Sequence, residues 1–212
     1  MKFRYKVSKK VVALLSIIVL MVLLLAIAET EKVVAFDSVK QYESIEKSAK
    51  GFSEYKLSND SLIDGLSKKE LDNVRCTVTF NEAISMDELK KLCEEEGVDL
   101  KVVETRHSIG DERYTTATIF NGNFADLQNE LHEITNDLGG GFVGIVDIYA
   151  CVDSKSLDKI RDNQKVFLVD ISGDAASMGH YVKDGEKRNK AHVDDGLNDF
   201  PQALSWDLET MQ

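Results

Sequence analysis

Apolar and polar side chains alternate along residues 75–80 (RCTVTF), with Cys76, Val78 and Phe80 on one side and Thr77 and Thr79 on the other. A period of two predicts a strand with one buried face. The next stretch, NEAISMDELKKLCEEEG, changes to helical spacing. Ser85 is placed as the N-cap, Glu88 completes a capping box, and Ile84 and Leu89 occupy the two positions of a hydrophobic staple. Leu89, Leu92 and Cys93 form the apolar stripe, and Gly97 is placed to end the helix. VDLKVVET predicts a second strand, RHSIGDE a polar turn and RYTTATIF a third strand, together a hairpin. Phe124, Leu127, Leu131, Ile134 and Leu138 recur at helical spacing and predict a second helix. GFVGIVDIYACV reads as a fourth strand, SKSLDKIRDN as a short helix and KVFLVDI as a fifth strand.

The predicted order, β-α-β-β-α-β followed by α-β, places residues 74–171 in the α+β class. The first six elements match a ferredoxin-like antiparallel sheet with helices on one face, and the last two add an extra αβ unit. The same order also permits a different α+β sheet. In the ferredoxin-like arrangement the first and fourth strands are neighbours, which brings Cys76 near Cys151. Their alternation puts them on opposite faces, so no disulfide is expected. Cys93, on a helix stripe, is expected to be a buried free thiol.

Ahead of this region lies a different pattern. Residues 11–28, VVALLSIIVLMVLLLAIA, hold one polar side chain, Ser16. As a helix they would rise about 27 Å, close to the hydrocarbon thickness of a bilayer. Lys2, Arg4, Lys6, Lys9 and Lys10 precede the run and Glu29 and Glu31 follow it. The positive-inside rule then keeps residues 1–10 cytoplasmic and sends the remainder across. Ala26-Ile27-Ala28 fits a signal-peptidase pattern, but the run is long for a cleaved signal and no Pro or Gly interrupts it. An uncleaved transmembrane anchor is favoured, with cleavage after Ala28 as the alternative. The basic leader and the A-x-A pattern suit bacterial export.

Residues 29–73 read as a juxtamembrane stalk. Helical spacing at Phe36, Val39, Tyr42, Ile45 and Ala49 is weak, Gly51 is placed to end it, and SNDSLIDGLSKKE is charged and turn-rich. Residues 172–212 read as irregular, with a short docking helix starting near Pro201. Leu204, Trp206 and Leu208 would be costly to leave in water, so this end is expected to return to the domain or to meet a partner.

Charge narrows the partners. Without residues 1–28 the chain keeps all its acidic residues and loses five basic ones, taking the net charge from −11 to −16. Nucleic-acid binding needs basic patches and is not expected. Chemistry-bearing motifs are weak. LGGGFVG follows a predicted helix and opens a strand, the reverse of a phosphate cradle, so its glycines read as a helix cap and turn. His107 falls in the predicted turn near Asp111 and Glu112, where a loose metal or polar site is one reading. His132 falls beside the apolar stripe of the second helix and reads as a surface residue. His180, His192, Asp194 and Asp195 offer a second loose grouping. HVDDGLND fails the calcium-loop register, because Ala191 stands where an Asp is needed. Glu94, Glu95 and Glu96 read as a solvated helix end. No residue is named as catalytic, cofactor-binding or metal-ligating.

The expectation is therefore a non-enzymatic, single-pass protein of the cell membrane, anchored in the lipid bilayer through residues 11–28. Its extracytoplasmic domain would bind or sense a protein or peptide partner, with exposed sheet edges available for strand addition. The alternative is a secreted soluble protein, inhibitor-like or ligand-binding.

Overall fold

The Ser85 hydroxyl accepts the Glu88 N–H at 3.3 Å, and the Glu88 carboxylate accepts the Ser85 N–H at 2.8 Å, closing the expected capping box. Ile84 and Leu89 are both buried beside it, and Gly97 ends the helix at φ +66°. The computed structural model describes residues 38–174 and 200–210. Its elements are α1 (Ser38–Ser44), α2 (Ala49–Leu66), β1 (Val74–Ile84), α3 (Met86–Glu96), β2 (Asp99–Ile109) and β3 (Glu112–Ile119). They continue with α4 (Phe124–Leu138), β4 (Gly141–Val152), α5 (Ser154–Arg161), β5 (Val166–Asp170) and α6 (Ser205–Thr210).

The protein is α+β, with one five-stranded antiparallel sheet in the order β3-β2-β4-β1-β5. That order corrects the ferredoxin-like expectation, in which the third strand would lie beside the first. Here β4 separates β1 from β2, and β3 is pushed to the edge. The composition of the two strands fits the exchange. IVDIYACV in β4 is apolar at every position but Asp147 and Tyr149 and is buried almost throughout. ERYTTATI in β3 is polar and largely exposed. An apolar strand gains most from a central place, and a polar strand loses least at an edge.

The β2–β3 hairpin is longer than predicted. Pairing runs without a break from Val102↔Ile119 to Ile109↔Glu112, so Arg106, His107 and Ser108 belong to a strand and not to a turn. Only Gly110 and Asp111 form the loop, and Gly110 supplies the positive φ that a two-residue hairpin needs.

Helices cover one face of the sheet. Val74, Cys76, Val78 and Phe80 of β1 meet Leu89, Leu92, Leu127, Leu131, Leu157 and Ile160 in the main core. The expected stalk is corrected over its described part. Residues 49–66 form α2, and Ile63 and Leu66 enter that same core. Buried Asn59 accepts the Ile171 N–H at 3.2 Å, and Arg161 of α5 binds the Asp64 carboxylate at 2.7 Å. Gly51 lies in the first turn instead of ending a helix: its N–H donates to the Ser48 cap at 3.0 Å, and a Cβ there would strike the Glu46 carbonyl.

Cys76 pairs with Ala150 and Arg75 with Cys151, so the two thiols point to opposite faces. All three cysteines are buried and unbridged. Among the described residues no helix is long and apolar enough to cross a membrane, and residues 11–28 lie outside them.

Candidate functional site

The second face of the sheet has a different composition. Alternate positions present Arg75, Thr77 and Thr79 from β1, Glu104 and Arg106 from β2, Asp147 and Tyr149 from β4, and Asp170 from β5. Such residues ordinarily meet water. Here Thr77, Thr79, Arg106 and Asp147 are almost completely buried.

Residues 200–210 provide the cover. Phe200 stands edge-on to the Tyr149 ring, with centroids 5.8 Å apart. The Thr77 hydroxyl donates to the Pro201 carbonyl at 2.6 Å. Leu204 enters a second apolar cluster with Ile45, Phe52 and Leu168. The Trp206 ring lies 4.4 Å from the Arg106 guanidinium carbon, a cation–π arrangement. Glu209 accepts the Arg106 Nε–H at 3.0 Å and an Arg113 N–H at 3.1 Å. Asp207 accepts the Tyr42 hydroxyl at 2.7 Å, and Lys47 lies 3.4 Å from the same oxygen. This end of the chain docks, as Leu204, Trp206 and Leu208 suggested, but its helix starts at Ser205, four residues after Pro201.

The groups beneath are electrostatically unusual. Asp147 and Glu104 are cross-strand partners. Asp147 is fully buried and neither carboxyl oxygen makes a hydrogen bond of ordinary geometry, although Thr79 and Ser205 stand beside it. Burial pushes its pKa up to about 7, and the charge on Glu104 adds to the rise. Burial also raises the Glu104 carboxyl, opposed by the Tyr149 hydroxyl, which donates at 2.8 Å, and by Arg106. Arg106 is held by Thr115 and Glu209, yet its second terminal nitrogen, 3.0 Å from Glu209 Oε1, is off the hydrogen-bonding line.

A separate open groove of about 460 Å³ lies beside α4, lined by Met86, Gln128, Leu131, His132, Thr135 and Phe142. His132 is on its exposed rim, as its position beside the stripe predicted. His107 is beneath it and fully buried, which corrects the turn-site reading. Its Nε2 is 3.0 Å from the Thr105 hydroxyl and 3.1 Å from that of Thr116, and its Nδ1 is 3.2 Å from that of Thr135. Phe142 packs edge-on against the ring. Burial lowers the imidazole pKa, and His107 is a hydrogen-bonded core residue.

Gly139 caps α4 at φ +67°, and Gly140 approaches the Ser108 carbonyl too closely for a Cβ, the cap and turn expected of LGGGFVG. Glu94 and Glu95 lie on the exposed end of α3 opposite Lys90 and Lys91, and the half-buried Glu96 pairs with Lys159 at 3.2 Å. His180, His192, Asp194 and Asp195 lie outside the described residues. Among the described residues no three His, Cys, Asp or Glu side chains are grouped to hold a metal ion. No family model matches this chain, and neither does a curated protein or a solved structure.

Alternation in TVT, ETR and DIY was the readable signal for the polar face, and it points equally to a solvent-facing surface. What it could not show was the cover.

Proposed function

We propose that this chain is a membrane-anchored, non-catalytic interaction protein whose extracytoplasmic domain docks an extended segment of a protein partner on the free edge of β3. Residues 11–28 would hold it in the bilayer, with residues 1–10 cytoplasmic. The observation that carries the docking reading is the asymmetry of the sheet edges. Strand β5 is covered on its outer side by α2, whose Lys56 donates to the Phe167 carbonyl. Strand β3 pairs with β2 alone, runs for eight residues without proline, and leaves Tyr114, Ala117 and Ile119 exposed, the last at 71%. An open edge with free N–H and C=O groups and alternating side-chain anchors is the requirement for strand addition.

The test places a photo-crosslinking residue at position 117 of the full-length chain in its own membrane. Proline is introduced separately at Thr116 or at the neighbouring Ala117, with the crosslinker moved to position 119 for the latter. In an antiparallel pair one of two adjacent N–H groups turns toward the partner strand and the other outward. The outward position should keep the domain folded and lose a discrete protein adduct. An adduct that survives both prolines, or none with the unsubstituted strand, removes the edge from the reading. The secreted alternative rests on Ala26-Ile27-Ala28. A product beginning at Glu29 in the soluble fraction would replace the anchor with a released domain.

A further inference from the structure

We propose that residues 200–210 are an exchangeable peptide, and that the seat formed by Thr77, Thr79, Arg106, Arg113 and Tyr149 accepts the same segment from a second copy of the chain. This is independent of the edge-strand reading.

The seat has the character of a ligand site and not of a core. Across the sheet, the helix-covered face is closed by apolar side chains. On this face both oxygens of fully buried Asp147 lie under the covering segment without a hydrogen bond of ordinary geometry, with Thr79 and Ser205 beside them. A permanently closed interface of this kind ordinarily satisfies such groups or replaces them with apolar ones. The segment is buried at one end and open at the other. Phe200 and Leu204 are its deep apolar anchors, while Trp206 stays 50% exposed and Glu209 keeps a quarter of its side chain in water. Opening a short segment with two deep apolar anchors costs less than opening the main core.

Recognition is by charge and shape together. Asp207 and Glu209 on the segment meet Lys47, Arg106 and Arg113. Glu104, Asp147 and Asp170 share the face, but the side chains that meet the charged groups of the segment are these three cations, which favours an acidic occupant. Arg106 reads more than charge, since it binds the Glu209 carboxylate edge-on and offers its face to the Trp206 ring. The segment shown to match every one of these positions is the chain's own, so a second copy supplies the same contacts. Residues 175–199 join the segment to the domain. Fully extended they reach at most roughly 90 Å, against a radius of gyration of about 15 Å for a domain of this size. Connectivity therefore does not confine the segment to its own seat, and exchange between copies forms a dimer with no new interface required.

Trp206 is the sole tryptophan of the chain and reports the seat directly. The full-length protein in detergent is titrated with a synthetic peptide of residues 200–212 in which Trp206→Phe removes the competing signal. The expected result is a saturable rise in acrylamide quenching of Trp206 toward that of a fully exposed indole. A peptide carrying Glu209→Gln as well should need about ten-fold more to reach the same effect. Quenching that does not respond to the peptide means the segment is a fixed part of the fold and overturns the proposal. To separate the second copy from the chain's own seat, two differently tagged full-length chains are co-expressed, one with a benzoylphenylalanine at position 206. A mixed-tag adduct mapping to β2, weakened by Arg113→Gln in the acceptor chain, where the side chain is exposed and its removal leaves the domain folded, is the expected outcome. The absence of a mixed adduct overturns the assignment to a second copy.

Discussion

Glu104 and Asp147 stand opposite each other on β2 and β4, two carboxyl groups on one covered sheet face with Arg106 beside them. Between the ordinary carboxylate range and pH 7 the folded protein holds a proton on Asp147 that the unfolded chain has released. Stability therefore falls as pH rises through that window and levels off above it. The penalty at pH 8 is on the order of 4 kcal/mol. The raised Glu104 carboxyl contributes in the same direction. Thermal melts from pH 4 to 9 should show a declining Tm, and Asp147→Asn should flatten the decline and raise Tm at pH 8. A wild-type Tm that climbs from pH 5 to 8 would show Asp147 to be an ordinary ionised carboxylate.

Arg106 is the cation that this acidic face depends on. Arg106→Gln leaves Glu104 and Asp147 without it and releases Glu209, and should destabilise by roughly 3–5 kcal/mol. Glu209→Gln removes a partly exposed partner and should cost about 1 kcal/mol. Urea unfolding of both single variants and the double variant measures the coupling. Additive effects would mean that the Arg106–Glu209 pair contributes nothing to stability.

His107 is a packing residue. His107→Ala should cost about 2–4 kcal/mol, from the cavity left against Phe142 and from the buried threonine hydroxyls that lose a partner. Added zinc should leave Tm unchanged. A zinc-dependent rise in Tm that disappears in His107→Ala would restore a metal role for this residue.

The thiols should be silent in the native state. Burial raises the pKa of Cys76, and it pushes Cys93 up to about 12. Cys151 is buried on the opposite face. A disulfide-exchange reagent should label none of them until denaturant is added, and all three at once on global unfolding. Labelling of one cysteine in the native protein would reveal a local opening at that position.

Where one residue's neighbours in sequence decide its conformation, the chain could be read directly. Ser85, Glu88 and Gly97 define α3 through contacts three or four residues apart, and alternation in RCTVTF and KVFLVDI marks strands whatever lies beside them. Residues 49–66 were missed because Gly, Ser, Asn and Asp inside them carry low helix propensity. Their helix is supported from elsewhere, by Ile171, Arg161 and the core around Ile63.

The chain by itself determined β1, α3 with its caps, α4, β4, α5 and β5, the burial of Cys93 and the alternation that gives the sheet one apolar and one polar face, because these follow from local sterics and periodicity. Tertiary structure alone decided that β4 and not β3 lies beside β1, that α2 belongs to the core, and that His107 is enclosed. It also decided that Phe200, Leu204, Trp206 and Glu209 cover the polar face. Each of these depends on which distant segment buries the most against a given surface. That choice is a comparison of long-range packings, and no window of adjacent residues contains it.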